Sequence, residues 1–282
     1  MIPAAFRYER PSSVEDAVRL LSQPDAKALA GGQSLLPLMR LRLAEPALLV
    51  DLADIASLAG IADERDGVRI GALVRHAELA AHAPWRVLRE AALATGDRQV
   101  RARGTIGGAV AHADPAGDLP AALLALGAVA TAQGPAGERR VPLGEFFLGP
   151  LTTALAADEV LMHLTVPRPR PGEGSAYRKL RQQASGFALA GVGAVVRMEN
   201  GRCAEARLAV TGVGFVPFAA AQAAERLVGT SLTDREVAQA ADLVLEGVDV
   251  QDDQYASATY RARMCRALAA DALAAARAEA LA

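Results

Sequence analysis

The sequence predicts an α+β protein of two domains. Segments with the apolar patterns of strands and of helices alternate from the N-terminus, which argues against an all-α or an all-β fold. The segment Pro167-Arg168-Pro169-Arg170-Pro171-Gly172 is the clearest linker, because three prolines and a glycine fit neither a helix nor a β-ladder. We therefore expect one domain over residues 1–170 and a smaller α/β domain over residues 173–282.

The first domain begins with a helix signal. Ser12 and Glu15 match a capping box, and the helix should end before Pro24. Further elements follow from apolar runs and the turn residues between them: a strand over 26–30 that stops at Gly31-Gly32, a helix over 35–43, strands over 48–50 and 68–70, a helix over 87–94, a polar basic stretch over 96–104, and short strands over 127–166.

In the second domain, the sequence predicts an antiparallel hairpin followed by helices. Two apolar runs, residues 190–198 and 206–211, flank the turn signal Asn200-Gly201. Thr233 and Glu236 match a second capping box, and an Ala-rich helix should run from Thr259 to the end of the chain.

Composition excludes several classes of protein. A formal net charge of −2 gives no electrostatic case for nucleic-acid binding. The two cysteines, Cys203 and Cys265, can build neither a [2Fe–2S] site nor a structural zinc site, and a disulfide between them is the less favoured alternative. Residues 1–8 lack the pattern of a signal peptide and no stretch is long enough to span a membrane, so we expect a cytoplasmic protein.

Two glycine-containing loops are the candidate binding elements. One spans residues 29–36 and the other runs from Thr105 to Ala109, continuing to Asp118. A diphosphate needs backbone N–H groups close to it, and glycine allows both the close approach and the required φ values. Either glycine pair alone could be an ordinary turn. The sequence has no Gly-x-Gly-x-x-Gly or Walker A motif, which argues against a Rossmann or P-loop site.

The ordered set of motifs resembles a known family. Ala30-Gly31-Gly32-Gln33-Ser34-Leu35, Gln99-Val100-Arg101-x-Arg103-Gly104-Thr105-Ile106-Gly107-Gly108 and Ala111-His112-Ala113-Asp114-Pro115-x-x-Asp118 are similar to motifs of the FAD-binding medium subunit of molybdenum hydroxylases. That family includes xanthine dehydrogenase, aerobic carbon monoxide dehydrogenase and quinoline oxidoreductase. Tyr177-x-Lys179 and Ala258-x-Tyr260-Arg261 extend the resemblance through nearly the whole chain.

The resemblance implies a vanillyl-alcohol-oxidase-type (PCMH-type) FAD-binding domain, with subdomains 1–55 and 56–170. It also implies a C-terminal domain, 173–282, like that of the carbon monoxide dehydrogenase flavoprotein, with a mainly antiparallel sheet and helices. Non-covalent FAD would be held by the following residues: Leu29, Ala30, Gly31, Gly32, Gln33, Ser34, Leu35, Leu36, Thr105, Ile106, Gly107, Gly108, Ala109, Asp118, Leu161, Met162 and Lys179.

Within this set, Asp118 is expected to bind a ribose or ribityl hydroxyl, Leu161 or Met162 to pack near the flavin, and Lys179 to approach it from the second domain. On the residues alone, Asp118 could instead cap a helix and Lys179 could be a solvated surface amine. Two departures from the family pattern are Ala109, where many relatives have Asn, and Thr95, where they have an apolar residue or glycine.

The implied function is electron transfer. A large subunit would carry the molybdenum cofactor and a small subunit the [2Fe–2S] clusters, in a dimer of heterotrimers, while this chain passes electrons from its FAD to an external acceptor. No catalytic residue is assigned. Two alternatives remain, a self-sufficient FAD oxidoreductase and a flavin-free assembly protein. Arg98, Arg101 and Arg103 form either a solvated face or a docking site for an acidic partner, and His112 is more typical of local hydrogen bonding than of proton transfer.

Overall fold

Three short parallel strands, in the order β1-β3-β2, open the fold: β1 Arg7–Glu9, β2 Ala26–Leu29 and β3 Leu48–Asp51. The structure is a computed structural model that describes residues 2–282. Helix α1 (Val14–Leu21) connects β1 to β2, and helix α2 (Leu35–Arg40) connects β2 to β3. The apolar faces of α1 and of the sheet share one buried cluster.

Both helices differ from the prediction at one end. Helix α1 is capped by Ser13, whose hydroxyl accepts a hydrogen bond from the backbone N–H of Asp16 at 3.1 Å, so the predicted Ser12–Glu15 capping box is wrong by one residue. Helix α2 ends at Arg40 rather than at residue 43. Arg42 takes a left-handed φ of 58°, a conformation that terminates helices.

Five antiparallel strands form the second sheet, in the order β4-β5-β10-β6-β7: β4 Ile61–Glu64, β5 Gly67–Gly71, β6 Val129–Gly134, β7 Gly137–Pro142 and β10 Val160–Val166. Five helices lie between β5 and β6 along the chain: α3 His76–His82, α4 Arg86–Ala94, α5 Arg98–Arg103, α6 Ile106–His112 and α7 Asp118–Leu126. Short 3-10 turns at Ala56–Leu58 and Leu143–Glu145 and a small hairpin, β8 Phe147–Gly149 and β9 Thr152–Thr153, complete this part. The inward side chains of the strands and helices form a single apolar core.

The predicted polar stretch over 96–104 contains helix α5. Asp97 caps it, since its carboxylate accepts hydrogen bonds from the N–H groups of Gln99 and Val100, both at 2.8 Å.

The last sheet has four antiparallel strands in the order β11-β12-β13-β14: β11 Glu173–Arg181, β12 Ala188–Glu199, β13 Arg202–Thr211 and β14 Phe218–Ala219. Helices α8 Ala221–Glu225, α9 Asp234–Asp242 and α10 Ala258–Ala280 follow. The predicted hairpin around Asn200 and the Thr233–Glu236 capping box are confirmed.

Helix α7 joins the two halves of the molecule, because all nine of its residues are buried. One side belongs to the core under the five-stranded sheet. The other meets β12 so closely that a side chain at Gly193 would lie 3.3 Å from the carbonyl oxygen of Ala121. The linker is held at both ends, Arg168 pairing with Asp63 and Arg170 with Glu205.

Both cysteines are buried and unpaired, so the alternative of a disulfide is wrong. Burial raises the pKa of the Cys265 thiol to about 12. Within residues 2–282, every helix is too short or too polar to cross a bilayer.

Candidate cofactor-binding site

The first glycine loop connects β2 to α2 and presents unused hydrogen-bond donors. Within residues 2–282, the backbone N–H groups of the five residues from Gly31 to Leu35 have no acceptor. Gly32 has a φ of +72°, which a residue with a side chain rarely adopts. The Ser34 hydroxyl makes no capping bond to α2. A row of N–H groups with a free hydroxyl among them is suited to an anionic group such as a diphosphate.

The second loop uses its N–H groups differently. Those of Ile106 and Gly107 donate to backbone carbonyls of the segment after β5, Val74 and Ala72, both at 2.9 Å. The N–H of Gly108 donates to the hydroxyl of Thr105, which caps α6, at 3.2 Å. The N–H of Ala109 donates to the Thr105 carbonyl at 3.0 Å. In the second loop only the N–H of Thr105 has no acceptor among residues 2–282, so most of the unpaired donors belong to the first loop.

The two loops touch. A Cβ atom on Gly31 would lie 2.4 Å from the carbonyl oxygen of Arg103, just before the second loop. A Cβ atom on Gly108 would lie 3.8 Å from the Cβ of Ala30. Gly31 is thus required for the close approach of the two backbones, whereas the space next to Gly108 is limited mainly by the Thr105 hydroxyl, at 2.8 Å.

Asp118 and Lys179 lie together in the interior. Asp118 stands in the first turn of α7 and Lys179 on β11, and the Nζ of Lys179 lies 2.8 Å from Oδ2 of Asp118. Their side chains are only 5% and 6% exposed. Lys179 is therefore no solvated surface amine, and Gly117 rather than Asp118 is the N-cap of α7.

Three other groups complete this cluster. Tyr177 donates its hydroxyl proton to Oδ1 of Asp118 at 2.7 Å. Thr95 shares its hydroxyl proton between the carbonyl of Ala91, at 2.9 Å, and Oδ2 of Asp118, at 3.3 Å. The Lys179 ammonium also donates to the carbonyl of Ala94 at 3.0 Å. Burial raises the pKa of Asp118 above its ordinary value. The charge of Lys179 and the hydrogen bonds from Lys179, Tyr177 and Thr95 act in the opposite direction.

Leu161 and Met162 lie on β10. The Leu161 side chain belongs to the apolar core, and Met162 packs against the cluster around the first sheet. The Met162 carbonyl accepts a hydrogen bond from the N–H of Ala72 at 3.0 Å. Gly107 of the second loop packs against Ala72, so Ala72 links Met162 to that loop.

A buried histidine, His76, supports the second loop, although no sequence motif points to it. His76 donates its backbone N–H to the carbonyl of Gly104 at 2.9 Å, and its ring lies so close that a Cβ on Gly104 would be 2.7 Å from it. Nδ1 of His76 is buried without a partner among residues 2–282. Burial, with a smaller effect of Arg101, lowers the pKa of His76 to about 4.

The segment between α6 and α7 is held by the C-terminal sheet. The carbonyl of Pro115 accepts hydrogen bonds from the Gly212 N–H and the Thr211 hydroxyl, both at 2.8 Å. The carbonyl of Ala116 accepts one from the N–H of Ala188 at 3.3 Å. These contacts lie more than 70 residues apart in the chain, and no local signal could have indicated them.

One arginine of the basic run on α5, Arg101, has a structural role. One guanidinium nitrogen of Arg101 donates to the carbonyls of Leu93, Thr95 and Gly96, which lie at the C-terminal end of α4. Arg98 and Arg103 are exposed.

Known proteins share both the sequence and the fold. A family model described as the FAD binding domain in molybdopterin dehydrogenase matches residues 4–169, and one described as the CO dehydrogenase flavoprotein C-terminal domain matches residues 175–276. The carbon monoxide dehydrogenase medium chain of Afipia carboxidovorans is 40% identical over 272 residues, covering 94% of each chain. The 6-hydroxypseudooxynicotine dehydrogenase complex subunit alpha of Paenarthrobacter nicotinovorans is 38% identical, covering 95% of this chain and 93% of that one.

Among solved structures, reconstituted CO dehydrogenase from Oligotropha carboxidovorans superposes with a TM-score of 0.95 at 38% identity, covering 99% of this chain and all of the matched one. The α+β fold class and the family resemblance predicted from the motifs are both confirmed. The loops at residues 31 and 107 fall within the matched FAD-binding region, and the free N–H groups with their glycines fit that cofactor. The chain belongs to the family of FAD-binding subunits of molybdopterin dehydrogenases.

Proposed function

We propose that this chain is an electron-transfer subunit, which receives electrons from [2Fe–2S] clusters on a small subunit and passes them to an external acceptor. A large subunit would carry the molybdenum cofactor and oxidise the substrate, in a dimer of heterotrimers. The names of the relatives, a medium chain and a complex subunit, support this organisation. So does the presence of only two cysteines, both buried, which cannot ligate an iron–sulfur cluster.

The observation that carries the proposal is the row of free N–H groups from Gly31 to Leu35. These groups would bind the FAD diphosphate, with the Ser34 hydroxyl as a further donor. The second loop would form the adjoining wall, because Gly31 packs directly on the backbone of Arg103 and Gly104. We retain Leu29 to Leu36 and Thr105 to Ala109 as the proposed FAD-contacting segments.

Asp118 and Lys179 would act as one unit beside the flavin. Two of the three ammonium hydrogens of Lys179 are occupied, by Asp118 and by the carbonyl of Ala94, so one donor remains for the cofactor. The bound FAD supplies the redox chemistry, while these residues fix a positive charge and its counter-charge in a site with little water. Met162 would contribute apolar contact near the flavin, and Leu161 the core beneath it.

We also propose the division into domains 1–170, with subdomains 1–55 and 56–170, and 173–282. It is supported by the three larger sheets, of three, five and four strands, which fall one in each of these segments. A cytoplasmic location is supported by the unpaired state of Cys203 and Cys265. The relatives named above act on different substrates by name, which is expected if substrate is oxidised on another subunit.

The relay is tested with the purified chain. Denaturation should release all flavin as FAD, with no colour left on the polypeptide. In anaerobic stopped-flow, dithionite should bleach the bound flavin, whereas carbon monoxide and organic substrates of the holo-complex should not. Adding the large and small subunits should restore bleaching by substrate. Substrate-driven bleaching of the isolated chain at the turnover rate of the complex would favour a self-sufficient oxidoreductase, and a colourless chain that cannot take up FAD would favour an assembly protein.

A further inference from the structure

Tyr177 joins the C-terminal sheet to the cluster around Asp118. It lies on β11, is 3% exposed, and donates its hydroxyl proton to Oδ1 of Asp118 at 2.7 Å. Its backbone N–H donates to a carboxylate oxygen of Glu90 on α4, also at 2.7 Å. Both ends of this residue are therefore bound to the part of the chain that carries the glycine loops.

The hydroxyl of Tyr177 determines how Asp118 is oriented. With Oδ1 engaged by Tyr177, Oδ2 is the oxygen that receives Lys179 and Thr95. The ammonium of Lys179 is in turn held between Oδ2 of Asp118 and the carbonyl of Ala94. Loss of the hydroxyl would leave Oδ1 buried without its donor, so the carboxylate would rotate or admit water.

The neighbouring strand makes room for this hydroxyl. Gly191 on β12 is paired with Lys179 in the ladder, and a Cβ atom on it would lie 2.3 Å from the Tyr177 hydroxyl and 2.9 Å from a methyl carbon of Thr211. The φ of Gly191 lies outside the left-handed region, so the backbone does not require a glycine there. The requirement is the space that the Tyr177 hydroxyl fills, and to a smaller extent the space of the Thr211 methyl group.

We propose that Tyr177 is a positioning residue of the flavin site, whose hydroxyl orients Asp118 and, through it, the ammonium of Lys179 toward FAD, with Gly191 as the residue that admits the hydroxyl. This inference rests on the proposed placement of Asp118 and Lys179 beside FAD. A phenylalanine would fill nearly the same volume, so packing alone does not account for a hydroxyl here. Burial, followed by the charge of Asp118, raises the pKa of Tyr177 well above its ordinary value, which keeps it a donor.

Two substitutions test the inference. Tyr177→Phe removes the hydroxyl donor and keeps the aromatic ring. Gly191→Ala keeps the tyrosine but pushes its hydroxyl away from Asp118. We expect each to weaken FAD binding about tenfold, as for the loss of one hydrogen bond to a buried charge. Each should also move the flavin midpoint potential to more negative values, because the positive charge is no longer fixed. In the Tyr177→Phe background, adding Gly191→Ala should have a smaller effect than it has alone.

Tyr8→Phe is the matched control, because Tyr8 also donates to a carboxylate, that of Asp51, on the exposed side of the first sheet. It should leave both FAD affinity and potential unchanged. The inference is overturned if Tyr177→Phe lowers only the melting temperature while affinity and potential stay at the wild-type values. Lys179→Met and Asp118→Asn separate the positioning role of Tyr177 from the underlying placement of Asp118 and Lys179 beside FAD. If these variants alter the potential and Tyr177→Phe does not, only the positioning role fails, and if none of them alters it, the placement of FAD is wrong.

Discussion

The ammonium nitrogen of Lys179 lies 2.8 Å from a carboxylate oxygen of Asp118, 61 residues earlier in the chain, and both side chains are almost completely buried. A pair of opposite charges in the interior costs desolvation energy that only a close partner and further hydrogen bonds can offset. Here the partners come from α4, α7 and β11. The pair therefore depends on the correct assembly of both halves of the molecule.

Removing the cation should be strongly destabilising. Lys179→Met leaves a buried carboxylate without its counter-charge, and we expect a loss of about 3–5 kcal/mol in the free energy of unfolding. Denaturant titration measures it. The double variant Lys179→Met with Asp118→Asn should recover part of the loss, since no unpaired charge remains. Arg19→Met removes an exposed partner of Asp16 and should cost less than about 1 kcal/mol.

The same variant should show an altered response to pH. In Lys179→Met the pKa of Asp118, already raised by burial, rises further because the opposing charge is gone. The folded state then binds a proton more tightly than the unfolded state, so stability increases as the pH falls through that raised pKa. The drop in melting temperature that Lys179→Met causes relative to the wild type should be smaller at pH 5 than at pH 7, because the titration of His76 is common to both chains and cancels. A larger drop at pH 5 would contradict the assignment.

Gly108→Val should remove most FAD from a chain that remains folded. The added side chain enters the space between the two loops, where Ala30 and the Thr105 hydroxyl are its nearest neighbours. Flavin content per chain and far-ultraviolet circular dichroism are the two measurements. Gly144→Val is the control, because a Cβ there meets no atom within 4 Å and the residue has no left-handed φ. Gly32→Val should also release FAD, since Gly32 has a φ of +72°.

Gly31→Ala should behave differently from Gly108→Val. Its Cβ would collide with the backbone of Arg103 at 2.4 Å, so the two loops must separate. We expect loss of FAD together with a lower melting temperature in the absence of FAD. Equal melting temperatures for apo wild type and apo Gly31→Ala would show that the loops are not in contact.

His76 should make the second loop sensitive to acid. Its folded-state pKa of about 4 lies below the ordinary value of 6.5, so the unfolded chain binds the proton more readily between these values. Stability is complete above pH 6.5 and is lost as the pH falls toward 4, by about 3 kcal/mol in total. His76→Leu should flatten this part of the profile. His82→Leu, which changes an exposed residue of the same helix, should leave the pH profile as in the wild type.

Local patterns predicted much of this fold. The hairpin at Asn200 depends on a few adjacent residues and was found where it was expected. The Pro-rich residues 167–170 lie outside helices and strands, as their composition predicts. Helix α5 was missed because its signal, the Asp97 cap, stands in a polar stretch that has no apolar face to reveal a helix.

The interior of the site could not be predicted in the same way. The family resemblance implied a cofactor role for Asp118 and Lys179 and gave no sign that they pair with each other. Thr95, noted only as a departure from the family pattern, donates to Asp118, and Tyr177 and Gly191 acquire their relation from strand pairing. Such contacts join residues from several elements, and their partners are set by packing rather than by sequence distance.

Helix α7 has a consequence for how the chain folds. Its nine buried residues have no side that could face water, and part of their cover comes from β12 and β13. A fragment of residues 1–170 would expose that apolar surface, and a fragment of residues 173–282 would lose the helix on which its sheet rests. Neither fragment should be stable alone, so the chain should melt in one cooperative transition, and a ribosome must complete the C-terminal sheet before the N-terminal half can become protease-resistant.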